Sequence, residues 1–384
     1  MTQSKQNSHG HDIHATAPVA VWELYNKYLK IDGSAIDNDL EVVDFTRGLS
    51  DTQKAKITPV GTVSSETITA ATMAFRRCGQ VVEGESDGVV DAPKSCTIYE
   101  HKEFNGRCIP HVTLSDLIKI LGLRLLPSFL PPECQAILLD RLFHRDLSNP
   151  LHKTNMHQDY DIPFPPASGE GDLSRLSFFS YPPESKVHVF TPLNPHSNHK
   201  PLNTSQFLRK KLRWLTIGSQ YNWNTREYPV TSPTPFPDDI ATLVKSLFNN
   251  SFTPESGVVL VYSPKDYMPV HRDVSEECER GLASFSLGCD GLFMIARDKY
   301  LGEDQEDENR EQDIVVIRVR SGDVIQMADE SRWAWHAMPK VIARTCPSWL
   351  AQWPVGNGTP EDYEKWKGYM TGKRLNISCR QVWR

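Results

Sequence analysis

The stretch Gly257-Val-Val-Leu-Val-Tyr262-Ser-Pro-Lys-Asp-Tyr-Met-Pro-Val-His271-Arg272-Asp273 decides how this chain is read. It opens as a β-branched run of strand character and breaks at Ser263-Pro264. It then returns as a second strand candidate that carries an imidazole and a carboxylate two positions apart. Positions i and i+2 of a strand share a face. One histidine, His336, follows downstream. Two histidines and one carboxylate form the facial ligand set of non-haem Fe(II) oxygenases, which leaves metal positions open for a co-substrate and O2.

His-x-Asp occurs three times, at His144, His157 and His271, so context has to choose. His144 lies near the end of a helical stretch, where i and i+2 do not face each other. Its His-Arg-Asp-Leu resembles a kinase catalytic loop, but Leu151 stands where that loop needs Asn and there is no glycine-rich phosphate loop. His157 sits in a polar loop, and its later companions His188, His196 and His199 fall in a Pro/Asn-rich segment. His271 alone lies between strand-like runs, 257–262 and 282–287, with His336 at the end of a turn-and-strand sequence. The metal reading therefore goes to His271, Asp273 and His336.

The C-terminal run Arg374-Leu-Asn376-Ile-Ser378-Cys-Arg380 alternates polar and apolar residues with the period of a strand. Its apolar face is expected to pack on the second sheet and its polar face to line the mouth of the site. Arginine forks suit a dicarboxylate. The strand spans about 20 Å if fully extended, which places Arg374 and Arg380 at opposite ends of one ligand.

Strand candidates 257–262, 268–274, 282–287, 291–296, 314–320, 323–327, 334–339 and 374–383 predict a mainly β, α+β fold: an antiparallel double-stranded β-helix (jelly-roll) with supporting helices. Helices are expected at 18–30, 113–123, 132–147 and 237–248. Residues 1–17 read as disordered, 18–111 as an arm with little regular structure, and 112–384 as the catalytic domain. Within that domain, 162–206 reads as a loop insertion and 301–313 as an acidic exposed loop.

Composition narrows the class. The chain has 384 residues, 39% of them hydrophobic, with a net charge of −6. That suffices for a sizeable core, and no apolar run is long enough to span a bilayer. Eight cysteines show no Cys-x-x-Cys pair, which argues against zinc or a disulfide framework and fits a reducing compartment. Cytoplasm or nucleus is expected, with the mitochondrion left open. A local basic patch, Arg209, Lys210, Lys211 and Arg213, keeps nucleic acid among the candidate partners despite the net charge.

At these residues the chain resembles the AlkB family of Fe(II)/2-oxoglutarate oxygenases, and within it the eukaryotic AlkB homologue one branch. The resemblance covers roughly 120–384 and rests on five ordered blocks. These are Leu212-Arg213-Trp214 to Tyr221-Asn-Trp223, Tyr262-Ser-Pro to Asp273, Gly281 to Gly288, Ser321-Gly-Asp323 to His336, and Arg374 to Arg380. It implies that His271, Asp273 and His336 ligate Fe(II), and that Arg374, helped by Tyr262, pairs with the distal carboxylate of 2-oxoglutarate. It further implies that Arg380 lies near the metal-bound end, with Asn376 between the arginines and Ser286 in the pocket. Trp214 and Tyr221 match positions near the substrate nucleotide, and Arg213 is taken with them as a substrate contact. Leu260 departs from the family, which carries Asn there. The neutral hydrogen bond that Leu260 cannot make is worth about 0.5–1.5 kcal/mol.

The implied reaction is oxidative demethylation with Fe(II), 2-oxoglutarate and O2. The N-methylated substrate is single-stranded DNA or RNA, including tRNA, with a methylated protein such as a histone tail, or an inactive nucleic-acid-binding protein, as alternatives. A monomer with no membrane association is expected.

Overall fold

The computed structural model describes residues 12, 14–78, 93–104, 122–166, 177–223, 225–229, 233–248, 252–297, 314–356 and 361–383. The strands are β1 (Ile57–Val63), β2 (Cys96–His101), β3 (Leu123–Leu126), β4 (Tyr160–Asp161), β5 (Thr191–Pro192), β6 (Trp214–Gly218) and β7 (Ser256–Tyr262). They continue as β8 (Met268–His271), β9 (Leu282–Gly288), β10 (Gly291–Ala296), β11 (Ile314–Val319), β12 (Val324–Met327), β13 (Trp335–Val341) and β14 (Arg374–Arg380). Twelve of them build two antiparallel sheets, ordered β1-β2-β3-β12-β9-β14-β7-β6 and β11-β10-β13-β8. All eight strand candidates form strands.

Three apolar layers hold the sheets. Between them lie Leu125, Leu282, Phe293, Ile295, Ile325 and Met338. The outer face of the large sheet is covered by α5 (Pro132–Asp140) and α6 (Asp238–Leu247), numbered after α1 (Val19–Lys30), α2 (Gly33–Ile36), α3 (Asp51–Lys56) and α4 (Ser65–Arg77). In α6 the residues Ile240, Leu243, Val244 and Leu247 repeat at helical spacing and are buried, and Asp238 and Asp239 occupy the first turn, where the helix dipole favours negative charge. The outer face of the small sheet is covered by Val21, Tyr25 and Tyr28 of α1 against Leu292, Met294 and Ala337.

β14 corrects one expectation. Its apolar residues Leu375, Ile377 and Cys379 join the helix-covered layer, not the contact between sheets. Its polar residues face the small sheet and line the cavity there. Alternation shows that two faces differ, but it does not say which neighbour each one meets.

The arm is the larger correction. Residues 18–111 are expected to hold little regular structure beyond the helix at 18–30, yet α2 to α4 and strands β1 and β2 also lie within them. β2 pairs with β3, and β3 with β12, so the arm extends the large sheet. Val43 bridges the small sheet, donating to Val316 O (2.8 Å) and accepting from Arg318 N (2.9 Å). The helix expected at 18–30 forms as α1. The one expected at 132–147 forms as α5 and continues through a π-helical turn over Arg141–Asp146. The helix expected at 113–123 falls mostly outside the described residues, and its last position, Leu123, begins β3. The acidic 301–313 segment and most of 1–17 also fall outside, although Ala17 is buried against α1 and the small sheet. The described part of 162–206 carries the two-residue strand β5 and short helical turns and is packed: Phe178, Phe179 and Phe190 are fully buried.

Asp44 ties the arm to the residue that follows β11 in the small sheet. Its carboxylate takes two hydrogen bonds from Arg320, at 2.7 and 2.8 Å, and others from Thr46. Burial alone would raise its pKa, but Arg320 and Thr46 outweigh it and bring it to about 2. A depressed pKa contributes stability that is complete above the unfolded value near 4 and is lost as pH falls through 2. Asp44→Asn is therefore expected to cost about 2 kcal/mol at neutral pH. The mutant's deficit in urea unfolding should shrink toward pH 2, and an unchanged deficit would place the effect elsewhere.

Candidate metal centre and co-substrate site

His271 and His336 meet because β8 pairs with β13 and puts the two residues directly opposite each other. Their ring centroids are 4.3 Å apart. Each Nδ1 lies at hydrogen-bond distance from a backbone carbonyl, Pro269 O at 2.9 Å and Ala334 O at 3.0 Å. With the proton on Nδ1, both Nε2 lone pairs are left for a metal. β8 ends at His271, so Asp273 arrives just beyond the strand, with Oδ1 3.9 Å from His271 Nε2. The ligand atoms of the three residues all lie within 4.8 Å of one another. Burial, with the neighbouring His271, pushes the pKa of His336 down to about 4, so its imidazole is neutral, the ligating form. Burial would raise Asp273, but Arg380, His336 and His271 hold it well below the usual carboxylate range.

The three residues open onto a cavity of about 530 Å³. At one end lies Arg374, fully buried, donating to Ser286 Oγ (2.9 Å) and Cys289 O (3.2 Å). Its Nε has no hydrogen-bond partner among the described residues. Tyr262 is its register partner on β7. A Cβ at Gly291 would lie 2.8 Å from Arg374 Nε and 2.7 Å from Met338 Sδ, so only glycine lets the guanidinium lie here unmoved. Asn376 sits midway along β14 and donates to Ser284 Oγ (2.6 Å). Arg380 is at the metal end, 2.9 Å from Asp273 Oδ2.

Residues 183–380 match the 2OG-Fe(II) oxygenase superfamily. The chain is 44% identical over 268 residues to the N6-methyladenosine RNA demethylase ALKB1 of Pyricularia oryzae, covering 68% of this chain and 74% of that one. It is 43% identical to the N6-methyladenosine RNA demethylase ALKBH of Cryphonectria parasitica, over 59% of this chain and 99% of the other. It is 32% identical to the tRNA demethylase abh1 of Schizosaccharomyces pombe, over 69% and 80%. The chain belongs to the AlkB family of Fe(II)/2-oxoglutarate oxygenases.

Fe(II), 2-oxoglutarate and O2 are thus the reagents of this oxygenase, and the donor set fits them. Two neutral imidazoles and a carboxylate suit a divalent iron with open positions. A buried guanidinium bonded only to neutral acceptors suits a carboxylate brought in by a ligand. Leu260 faces Asn376 across the β7–β14 pair and contributes an apolar wall to the cavity.

The three expected substrate residues separate in the oxygenase. Tyr221 lines the cavity and contacts Ser275 Oγ at 3.2 Å. Trp214 and Arg213 stand outside the lining: Trp214 packs on Trp223 with centroids 5.0 Å apart, and Arg213 pairs with Asp266 at 3.1 Å. Sequence reasoning missed Trp223, Tyr228 and Glu276, all in the cavity wall. The Tyr-x-Trp spacing of Tyr221 and Trp223 was a usable signal for the first. The other two histidine motifs are structural. His144 is stacked at 4.7 Å on Tyr363, and His157 caps a turn through Thr154.

Proposed function

We propose that this oxygenase removes N-methyl groups oxidatively from nucleic acid, RNA in particular. The observation that carries the reading is the His271–Asp273–His336 cluster opening onto a cavity floored by Arg374 and walled by Tyr221 and Trp223. The names of its relatives, two N6-methyladenosine RNA demethylases and a tRNA demethylase, support the substrate class. In this reading the two sheets form the double-stranded β-helix, with His271, Asp273 and His336 as iron ligands at its mouth.

Fe(II), 2-oxoglutarate and O2, once bound, would supply the oxidising power, with the co-substrate released as succinate and CO2 and the methyl carbon as formaldehyde. The protein supplies ligation and orientation. Arg374 and Tyr262 anchor the far carboxylate, and Arg380 compensates charge beside Asp273. Leu260, Met338 and Phe293 contribute apolar wall to the cavity. Trp223, 39% exposed and edge-on to Tyr221 at 4.9 Å, offers a face for an unstacked base. The deciding assay measures formaldehyde from N6-methyladenosine or N1-methyladenosine in single-stranded RNA, from the same bases in DNA, and from a methylated peptide. Release from the peptide alone would replace this reading with a protein substrate.

Lys210 and Lys211 are exposed just before β6, the strand that begins at Trp214. Arg209 is less available, lying 5.4 Å from the Trp366 ring. Lys210→Glu with Lys211→Glu is expected to weaken binding to single-stranded RNA. It should also flatten the salt dependence by about 0.7 for each phosphate that the lysines no longer neutralise. Fluorescence anisotropy between low and physiological salt measures both effects. An unchanged slope would remove this edge from the binding surface.

A further inference from the structure

Asp273 divides its two oxygens between different tasks. Oδ1 faces His271 Nε2, and Oδ2 is paired with Arg380 Nη1 at 2.9 Å. The same Nη1 donates to Glu276 Oε1, also at 2.9 Å. Glu276 is 2% exposed and accepts from three donors, Arg380, Tyr228 and Arg332. Tyr228 Oη reaches Oε1 at 3.2 Å, and Arg332 Nη2 reaches Oε2 at 2.7 Å. Arg332 then closes a ring by donating through Nη1 to the main-chain oxygen of Asp273 at 2.7 Å. The segment is fixed from behind, because Glu277 N and Cys278 N both donate to Val382 O.

The ring Asp273–Arg380–Glu276–Arg332 contains two carboxylates and two guanidiniums, so its formal charges cancel. We propose that Glu276 is the positioning residue of the metal centre: it holds Arg380 on Asp273 Oδ2, so that Asp273 offers the metal one oxygen and leaves the co-substrate positions open. This rests on the iron-site reading above. Without the Glu276 charge, the ring presents a net positive charge to an incoming dication. Arg380 also loses its second anchor, and Asp273 is free to turn both oxygens to the metal and fill a position that 2-oxoglutarate needs. Partners of this outer kind typically change metal affinity by about 10–100-fold.

The test titrates Mn(II), as a redox-stable probe, into the full-length protein and follows tryptophan fluorescence. 2-Oxoglutarate is then titrated at saturating Mn(II). Glu276→Gln is expected to weaken Mn(II) binding by about 10–100-fold and to weaken 2-oxoglutarate binding even when metal is saturating, an effect that loosened packing alone would not give. Tyr228→Phe removes one hydroxyl and is expected to weaken Mn(II) by about 2–10-fold. Wild-type affinity for both ligands in folded Glu276→Gln overturns the proposal. If that variant does not fold, unchanged affinity in Tyr228→Phe overturns it instead. Failure of the unmodified protein to bind Mn(II) would sink the iron-site reading itself, a separate result.

Discussion

His271→Ala is expected to abolish demethylation and the weak visible charge-transfer band that anaerobic Fe(II) and 2-oxoglutarate should give in the unmodified protein. The loss should exceed the about 10–100-fold typical of removing an outer partner, because one of three protein ligands is gone. Asp273 and His336 remain, and nothing else among the described residues completes a cluster of three with them. Stability should barely change. The imidazole of His271 is about one-third exposed and its one hydrogen bond is to the Pro269 carbonyl within its own strand. A thermal scan and the titration together separate the two effects. A normal band in His271→Ala would overturn the ligand assignment, whatever the activity.

Arg374→Met is expected to separate stability from co-substrate binding. The guanidinium is buried with neutral acceptors, Ser286 Oγ and Cys289 O, and one unbonded nitrogen. Burial pushes its pKa down, the mark of a charge kept at a cost. An unbranched apolar side chain removes that cost, so Tm should hold or rise. 2-Oxoglutarate loses a charge-assisted hydrogen-bond pair worth about 1.5–3 kcal/mol, and its KM should rise by roughly 10- to 150-fold. Arg374→Lys keeps the charge without the fork and should recover only part of this. Unchanged KM in Arg374→Met would place the far carboxylate elsewhere. A fall in Tm of several degrees would mean that Asp290 and Asp323 already compensate the charge at a distance.

The metal cluster was legible because few residue types ligate iron and because two flanking strands marked His271 among three similar motifs. The Arg374–Arg380 alternation was legible as a strand for the same periodic reason. Glu276 was not, since its partners Arg332, Tyr228 and Arg380 come from three distant segments and meet only in the folded chain. The arm was missed because its strands lack a clean pattern. β1 carries Pro59 and Gly61 at a register shift and lies at the sheet edge, where proline is tolerated. β2 is half-buried through Thr97 to Glu100, so apolar alternation is blurred. Trp214 pairs with Leu260, which lines the cavity, but neither Trp214 nor Arg213 lines it, a distinction that no spacing rule resolves.

The attachment of β3 to β12 has a practical side. The segment that matches the superfamily, 183–380, leaves out β3, the strand that pairs with β12, and with it β1, β2 and α5. Trimmed to that segment, the protein would present the unpaired backbone of Val324–Met327 along one side of its main sheet and strip α5 from the other face. Bare strand edges beside uncovered apolar surface recruit other chains. A shortened enzyme should therefore appear in the insoluble fraction, and inactivity there would say nothing about its chemistry. β1, β2 and β3 travel with the catalytic half as a hem that keeps the sheet from fraying into its neighbours.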